Sequence, residues 1–226
     1  MNVDKLNRDL KDFWNEHFKS IEPQAINKND FDLNNALNQQ LEFIGHHCER
    51  VLDFGTGGGY ALFAVKMLGK KIKEGIGIDT SKHAIDFCQK TAALSKVNNL
   101  SFVQADQDYL EAFDSSSFDA IICSNVLDVV PYQTSTQMIS ALDRVLKPGG
   151  YFLLKLNFYL TDALIERIKM KEIAKNTFTL NNVLRGVNLT HEEWLERFSD
   201  YDLIIKDTYP RVKNGPEDRL LLLRKK

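Results

Sequence analysis

The segment Val51–Gly59 reads Val-Leu-Asp-Phe-Gly-Thr-Gly-Gly-Gly, and it decides how the rest of the chain is interpreted. Its apolar start and Asp53 form the end of a buried strand, and the glycines then form a turn before a helix that begins near Tyr60. Glycine lacks a Cβ atom, so a ligand can approach its backbone closely. In open α/β sheets, ligands bind outside the carboxyl ends of the strands. The segment therefore predicts a binding site at this turn.

Short apolar runs alternate with helical patterns from Val51 onward, which is typical of βαβ units and of a parallel sheet covered on both faces. Thr80 or Ser81 can cap the helix after the second strand, and Pro148-Gly149-Gly150 ends a helix just before the fifth strand. The apolar face of the helix that ends there is predicted to extend to Leu146. The predicted strands are Arg50 to Phe54, Gly75 to Asp79, Leu100 to Gln104, Ala120 to Cys123, Tyr151 to Leu156, Tyr201 to Asp207 and Arg219 to Leu223.

Two regions lie outside this alternation, and both are expected to pack on the same single domain. In residues 1–49, an amphipathic helix precedes a second helix near residues 33–44. In the insertion at residues 157–200, the segment Thr190 to Glu193 forms a capping box that opens a helix. We expect these two regions to form a lid that selects the substrate. Residues 50–156 would then form the cofactor-binding core, and residues 201–226 the final two strands.

The composition of the 226 residues is that of an ordinary globular protein, with 43% hydrophobic and 27% charged residues. A net charge of −2 gives no broad attraction for phosphate backbones or anionic lipid, so extended nucleic-acid binding is disfavoured. The chain shows no secretion signal and no apolar stretch of roughly 18 residues that could cross a bilayer, which predicts a cytoplasmic protein.

The cysteines are few and widely spaced, which fits neither a zinc site nor a disulfide framework. Cys88 and Cys123 are expected to be reduced thiols, as is Cys48. The run His46-His47-Cys48 could suggest a metal site, but adjacent histidines point apart on most backbones and no partner pair is visible. No metal is therefore predicted.

Asp53 beside the glycines distinguishes between classes of cofactor. A dinucleotide fold holds a pyrophosphate at its helix N-terminus, where a neighbouring carboxylate would repel it. A cofactor with a cationic amino group and a sulfonium would instead be attracted. A P-loop is excluded, because no Gly-Lys-Ser/Thr follows the glycines.

Acidic side chains also end the next two strands. Asp79 lies 24 positions after Gly55, where it suits a bidentate hydrogen bond to the ribose hydroxyls of an adenosine cofactor. The alternative is that Asp79 simply caps the following helix. Asp106 could accept from an adenine amino group with Gln107 alongside, although taken alone it would be a turn aspartate.

In this order the motifs resemble the class I, Rossmann-like S-adenosylmethionine-dependent methyltransferases, and more narrowly their small-molecule branch. The resemblance covers Val51 to Leu156, and beside the glycine loop it rests on Gly77-Ile78-Asp79, Ala105-Asp106, Phe118-Asp119 and Leu146-Lys147-Pro148-Gly149-Gly150. It implies an α/β three-layer sandwich with a seven-stranded, mostly parallel sheet in the order 3-2-1-4-5-7-6, the last strand antiparallel and helices on both faces. The residues that it places around S-adenosylmethionine are Asp53, Gly55, Thr56, Gly57, Gly59, Asp79, Thr80, Asp106, Gln107, Ser124 and Asn125.

Two departures from the family pattern bear on the acceptor. Phe54 stands where a small or aliphatic residue is more usual, and no Asp/Asn-Pro-Pro-Tyr/Phe follows the fourth strand. That missing motif is the signature of enzymes that methylate the amines of DNA bases. The resemblance and the mild acidity favour a small-molecule acceptor. The alternatives are a protein or tRNA methyltransferase, a non-catalytic S-adenosylmethionine-binding module and an NAD-dependent oxidoreductase.

Methyl transfer from a sulfonium is largely a matter of aligning the nucleophile, so no residue is compelled to be catalytic. A general base is needed only where the acceptor must lose a proton. The candidates are His191, Tyr132 and His17, with Trp14 nearby on the N-terminal helix. A solvent-exposed position in the first turn of a helix is the alternative interpretation of His191.

Overall fold

The computed structural model describes residues 2–212 and 214–226, and within them seven α-helices and ten strands alternate. The helices are α1 (Val3–Lys19), α2 (Ala36–His47), α3 (Tyr60–Leu68), α4 (Lys82–Leu94), α5 (Tyr132–Val145), α6 (Asp162–Ile168) and α7 (His191–Glu196). The strands are β1 (Arg50–Phe54), β2 (Glu74–Asp79), β3 (Leu100–Gln104), β4 (Phe118–Ser124), β5 (Leu146–Leu156), β6 (Lys171–Ala174), β7 (Thr177–Leu180), β8 (Val183–Val187), β9 (Tyr201–Pro210) and β10 (Glu217–Lys225). No described helix combines the length and the apolar character needed to cross a membrane.

Seven of the strands form one sheet in the order β3-β2-β1-β4-β5-β10-β9. The first five run parallel to one another, whereas β10 is antiparallel to both β5 and β9. Counting only these seven strands along the chain, the order is 3-2-1-4-5-7-6. The predicted α/β fold and its antiparallel last strand are therefore confirmed.

Helices cover both faces of the sheet. Successive side chains of each central strand point in opposite directions, so each strand contributes to a core cluster on either face. Val51 belongs to the core cluster with α2 and α3, and its neighbour Leu52 belongs to the cluster with α5 and α7. Leu153 and Leu154 of β5 divide in the same way. Trp194 of α7 is fully buried in the second cluster. The result is three layers with the sheet in the middle.

The junction between α5 and β5 differs from the prediction. α5 ends at Val145, and Leu146 already pairs with Phe118 of β4 instead of completing the helical stripe. Pro148-Gly149-Gly150 lies inside β5, at an irregularity in its pairing with β4. Gly149 has a φ of +74°, so the extra residues bulge out and the strand resumes pairing at Tyr151. The prolyl-glycyl run thus bends a strand instead of preceding it.

The insertion at residues 157–200 contains a second, three-stranded antiparallel sheet in the order β6-β7-β8, which the sequence interpretation missed. The predicted capping box is confirmed: Thr190 Oγ1 accepts from the backbone N–H of Glu193, and the Glu193 carboxylate accepts from the N–H of Thr190. The turn between β7 and β8 is Asn181-Asn182, with φ values of +52° and +64°. Two left-handed residues between short strands are typical of a type I′ hairpin turn, so a local signal for this hairpin was present.

Candidate functional site

A cleft of about 980 Å³ lies at the carboxyl ends of β1 to β4 and is closed from the other side by α1. Of the residues that the sequence singled out, those that line it are Gly55, Gly57, Asp79, Thr80, Asp106, Gln107, Ser124 and Asn125. Asp53, Thr56 and Gly59 lie behind this surface. The sheet therefore brings most of the predicted set to one cavity, in a volume suited to small ligands.

The glycine loop keeps its shape through backbone hydrogen bonds to the neighbouring strand. The N–H groups of Gly55 and Thr56 both donate to the carbonyl of Ile78, at 2.8 and 2.9 Å. Gly55 and Gly59 have φ values of +74° and +77°, which residues with a Cβ atom rarely adopt. A Cβ atom at Gly59 would lie 2.8 Å from the ring of Phe63. The loop is thus a fixed cradle in which these two positions require glycine.

Asp53 lies beneath the loop with only 1% of its surface exposed. The Thr56 hydroxyl donates to its Oδ2 at 2.6 Å, while Oδ1 is buried without a hydrogen-bond partner among the described residues. Removal from water raises the pKa of Asp53 to about 7, against the opposing effect of the Thr56 hydrogen bond; the charge of Asp79 raises the pKa further. The carboxylate is therefore poised to respond to a positive charge placed at the loop.

Asp79 connects the end of β2 to the glycine loop. Its Oδ2 accepts from the N–H of Gly57 at 2.9 Å, and its Oδ1 accepts from the N–H of Ser81 at 2.8 Å. Burial raises its pKa, opposed by these backbone hydrogen bonds. The helix cap itself is Ser81, whose hydroxyl accepts from the N–H of Ala84. Asp79 thus shapes both walls of the cleft while its side chain still borders the cavity.

The residues after β3 occupy the other end of the cleft. Asp106 is exposed, and its Oδ1 accepts from the N–H of Asp108 at 3.1 Å as the cap of a short 3-10 helix. Gln107 has a buried Oε1 without a partner among the described atoms. Thr80 accepts at its carbonyl from the side chain of Gln104 at 3.3 Å. This end of the cleft therefore offers both carboxylate and amide oxygens.

The residues after β4 line the cleft beside the glycine loop. Asn125 has a φ of +55°, and its N–H donates to the carbonyl of Lys155 at 2.8 Å. Its Oδ1 accepts from the ammonium group of Lys155, and its Nδ2 is buried with no partner in the described chain. Ser124 Oγ lies 3.5 Å from the same Oδ1. An amide donor is thus available next to the loop.

Helix α1 lines the cleft with Trp14, which the sequence interpretation named, and with polar residues that it did not. Phe18 lies against the glycine loop, 3.3 Å from the position that a Cβ atom on Gly57 would take. The cleft residue Asn7 donates to Thr134 of α5 at 3.3 Å, and Asn15, which does not line the cleft, accepts from Ser81 at 3.3 Å. The other cleft residues of these helices are Val3, Asp4, Arg8, Leu10, Lys11, Trp14, Gln133, Gln137 and Met138. In sequence, the polar residues of α1 at i, i+4 spacing look the same as those of a solvent-exposed helix face, so their position in the cleft could not be predicted.

None of the three catalytic candidates lines this cleft. His17 is exposed on the far side of α1, with its ring edge-on to Phe18 at 5.2 Å. Tyr132 is 51% exposed, lies under the guanidinium of Arg197 at 4.3 Å and borders a separate pocket of about 600 Å³. His191 is half-buried at the start of α7, where burial lowers its pKa. The geometry gives none of them a contact with the cleft.

Two further motifs have structural contacts. Asp119 accepts from the backbone N–H groups of Glu49 and Arg50 at 2.9 and 2.8 Å, at the end of the sheet opposite the cleft. His47 stacks on Phe43 with ring centroids 4.1 Å apart. All three cysteines are buried free thiols. Within residues 2–212 and 214–226, no group of three or more His, Cys, Asp or Glu side chains is arranged to hold a metal ion.

The residues around the cleft fit a small cationic cofactor that also carries polar groups. Two buried polar atoms on residues that line it, Gln107 Oε1 and Asn125 Nδ2, have no partner among the described residues, and neither does Asp53 Oδ1 behind the glycine loop. Buried polar groups in proteins are almost always hydrogen-bonded, so unsatisfied atoms at one cavity indicate a missing ligand or water. Two are acceptors and one is a donor, which matches a ligand with both kinds of group.

Comparison with known proteins agrees with this fold. A family model described as a methyltransferase domain matches residues 46–207, which is more than half of the chain. The ubiquinone biosynthesis O-methyltransferase of Albidiferax ferrireducens is 32% identical over 116 residues, which cover 50% of this chain and 44% of that protein. The enzyme of the same name from Burkholderia thailandensis is 28% identical over 192 residues, covering 81% and 79%. Against the first of these, the chain spans about half the length of the curated relative it matches.

Solved structures share the fold at low sequence identity. A Pyrococcus horikoshii protein superposes with a TM-score of 0.70 at 19% identity, covering 93% of this chain and 99% of that one. The 1,6-didemethyltoxoflavin-N1-methyltransferase of Burkholderia thailandensis, solved with its substrate and S-adenosylhomocysteine bound, gives a TM-score of 0.68 at 14% identity and covers 100% and 91%. These likenesses show the three-layer α/β fold.

Proposed function

This chain belongs to the class I, S-adenosylmethionine-dependent methyltransferases, and we propose that it transfers the methyl group to a small-molecule acceptor. The observation that carries the proposal is the cleft of about 980 Å³ between the glycine loop and α1. A cavity of this size has room for the methyl donor and a small acceptor together, which supports the proposal.

We propose that the cofactor lies along the carboxyl edge of the sheet, from the glycine loop to the segment after β3. Asp53 and the loop N–H groups would hold its amino-acid end, where the raised pKa of Asp53 leaves the carboxylate ready to ionise beside an ammonium group. Asp79 would accept from the ribose hydroxyls. Asp106 and Gln107 would bind the adenine amino group, since both carry acceptor oxygens there.

The bound cofactor supplies an electrophilic methyl group on a sulfonium. The residues of this chain contribute binding, alignment and exclusion of water, and alignment of two reactants can lower a barrier by roughly 7 to 11 kcal/mol. The apolar side chains of Val126, Val129 and Met138 line the cleft and would keep water from the acceptor. Phe18 would hold the loop closed from the opposite side.

The attacking atom is proposed to be oxygen. The relatives that match in sequence carry the name ubiquinone biosynthesis O-methyltransferase, and this cleft joins apolar walls to polar side chains such as Gln133 and Gln137. A phenol or a similar hydroxylated ring fits such a mixed surface. The groups on the cleft surface that could take its proton are carboxylates, among them Asp4 and Asp108.

We propose that α1 and the insertion at residues 157–200 form the lid that selects the acceptor. Arg185 of β8 lies over the ring of Phe13 at 4.8 Å and near Trp14 at 5.9 Å, so the inserted sheet supports α1 from behind. Deleting residues 1–20 should leave S-adenosylhomocysteine binding measurable while turnover falls. Equal loss of binding and turnover would contradict the lid.

The decisive experiment is a methyl-transfer screen with S-adenosylmethionine labelled in its methyl group, offered with a fractionated metabolite extract. A labelled small product supports the proposal, and hydroxylated aromatic compounds form the first panel of pure acceptors. Label that enters only protein or tRNA would identify a polymer acceptor. Tight binding of S-adenosylhomocysteine with no labelled product in any fraction would favour a non-catalytic binding module. A location in the cytoplasm and a lack of extended nucleic-acid binding stay predictions, to be checked by fractionation and by filter binding.

A further inference from the structure

A buried lysine lies directly behind the cleft. Lys155 occupies the carboxyl end of β5 with only 5% of its surface exposed, and its Nζ is 2.7 Å from Oδ2 of Asp218 in β10. The Asp218 side chain is fully buried. A buried ion pair seldom adds net stability, because the desolvation of two charges offsets their attraction. The position of this lysine therefore calls for a reason other than stability.

Asp218 does not need Lys155 as its counter-ion. Arg211, in the turn between β9 and β10, binds both carboxylate oxygens: Nε lies 2.6 Å from Oδ2 and Nη2 lies 2.8 Å from Oδ1. Nη2 donates a charge-assisted hydrogen bond to Oδ1, and Nε adds an ion-pair contact with Oδ2. With Lys155 removed, Asp218 would still be paired with a cation. A substitution at Lys155 therefore does not leave the Asp218 carboxylate without a cation.

Lys155 makes a second contact, to the cleft residue Asn125. Its Nζ donates to Asn125 Oδ1, and its backbone carbonyl accepts from the N–H of Asn125 at 2.8 Å. The two residues are thus joined through both side chain and backbone. Asn125 sits in the left-handed region at φ +55°, a conformation that the backbone contact helps to hold.

The contact decides which way the Asn125 amide faces. An ammonium group can only donate hydrogen bonds. The atom of Asn125 that faces it is therefore the acceptor Oδ1, because Nδ2 is also a donor. Oδ1 and Nδ2 point in different directions from the same carbon. With Oδ1 held by Lys155, Nδ2 is left as a buried donor without a partner among the described residues, on a side chain that borders the cleft.

We propose that Lys155 is a positioning residue that fixes Asn125 Nδ2 as a hydrogen-bond donor to the carboxylate of the bound cofactor. The inference rests on the proposed function, because it assumes that the amino-acid end of the cofactor lies at the glycine loop. β4 lies beside β1 in the sheet, so Asn125 follows the strand next to that loop. In the amino-acid part of the cofactor, only the carboxylate can accept a hydrogen bond, because the ammonium and the sulfonium cannot. The carboxylate is therefore the acceptor for Asn125 Nδ2.

The test compares two ligands by isothermal titration calorimetry. S-adenosylhomocysteine carries the carboxylate, and 5′-methylthioadenosine lacks the amino-acid part. Lys155→Met should weaken S-adenosylhomocysteine binding by about tenfold, the effect of one hydrogen bond to a charged group, and leave 5′-methylthioadenosine binding unchanged. The matched control is Lys147→Met, on the same strand, where the lysine pairs with Asp119 at the opposite end and both ligands should bind as to the wild type.

A double-mutant cycle tests whether Lys155 acts through Asn125. Asn125→Gly removes the amide and keeps a residue suited to φ +55°, so it should show the same ligand-selective loss. The double variant should bind no more weakly than Asn125→Gly alone. If Lys155→Met does not fold, the same comparison is made with Lys155→Met combined with Asp218→Asn, which removes the buried charge that Lys155 faces.

The contrary results are distinct. Unchanged S-adenosylhomocysteine binding in Lys155→Met or Asn125→Gly would overturn the proposal. Equal loss for both ligands, or additive losses in the double variant, would assign Lys155 a general structural role and also overturn it. A wild-type protein that binds neither ligand would instead contradict the proposed function.

Discussion

The hydroxyl of Thr56 donates a 2.6 Å hydrogen bond to Oδ2 of Asp53, and that bond is the carboxylate's one side-chain contact of this kind in the described chain. The contact is local, three residues along the glycine loop, and it ties the loop to the end of β1. It does not offset the loss of water around Asp53, whose pKa rises to about 7. The acid under the loop is therefore expected to titrate near neutral pH.

Stability should fall as the pH rises through 7, and Asp53→Asn should remove part of that fall. In the unfolded chain an aspartate ionises near pH 4, so between about pH 4 and pH 7 the native state holds a proton that the unfolded state has lost. The favourable contribution is complete at the acidic end and is lost as Asp53 ionises in the native state. Urea unfolding at pH 5.5 and pH 8 should show a smaller difference in the variant, by on the order of 2 kcal/mol. Parallel profiles for the two proteins would contradict the assignment.

Gly59→Ala should destabilise the protein more than Gly57→Ala. Both positions have a positive φ, +77° and +51°, so both variants carry the backbone cost of a Cβ atom there. At Gly59 the new atom also meets the packed ring of Phe63 at 2.8 Å, whereas at Gly57 its nearest neighbour is Phe18 at 3.3 Å. We expect the difference in unfolding free energy to be about 1 to 3 kcal/mol, measured by urea titration. Equal losses would mean that the backbone conformation alone accounts for both glycines.

Asp79→Asn should weaken the binding of S-adenosylhomocysteine by about tenfold or more, because a neutral amide loses charge-assisted hydrogen bonds. The same substitution should change the binding of a 2′,3′-dideoxy analogue much less, since the ribose hydroxyls are the proposed partners. Titration calorimetry with both ligands separates this role from the contacts of Asp79 to Gly57 and Ser81. Equal weakening for both ligands would show that the residue acts only by shaping the loop.

Arg185→Met should loosen α1 while leaving the sheet intact. The guanidinium lies over Phe13 and Trp14, and a cation–π contact at a partly exposed site contributes about 0.5 to 1 kcal/mol. Amide hydrogen exchange across residues 3–19 should accelerate roughly two- to fivefold. Arg167→Met is the matched control, because Arg167 is exposed on α6. Unchanged exchange in α1 would mean that other contacts hold the helix.

The part of the fold that could be predicted follows from local patterns. β1 begins and ends as predicted, because a buried parallel strand is a short apolar segment bounded by turn residues, and the edge strand β3 also has its predicted bounds. The glycine loop was predictable for a similar reason: its conformations need glycine at fixed positions. The order of the strands came from the family resemblance, which local pattern alone does not supply.

The rest depends on contacts between distant segments. The hairpin of β7 and β8 did carry a signal in Asn181-Asn182, but its strands are short and mixed in polarity. The burial of Lys155 depends on Asp218, which arrives from the far end of the chain. The role of α1 could not be predicted for the same reason. Its polar residues line the cleft only because the glycine loop, which is distant in sequence, packs opposite them. The same applies to His191. A helical pattern in the sequence does not show whether a residue faces the cleft, and His191 does not line it.

The position of β10 between β5 and β9 has a consequence for how the molecule is made. β9 precedes β10 along the chain, yet it reaches the sheet only through β10. While a ribosome is still synthesising β10, the exposed apolar residues Leu203 and Ile204 of β9 have no sheet to join. The nascent chain therefore completes its sheet late, and until β10 is made β9 stays an unpaired strand that can aggregate or bind a chaperone.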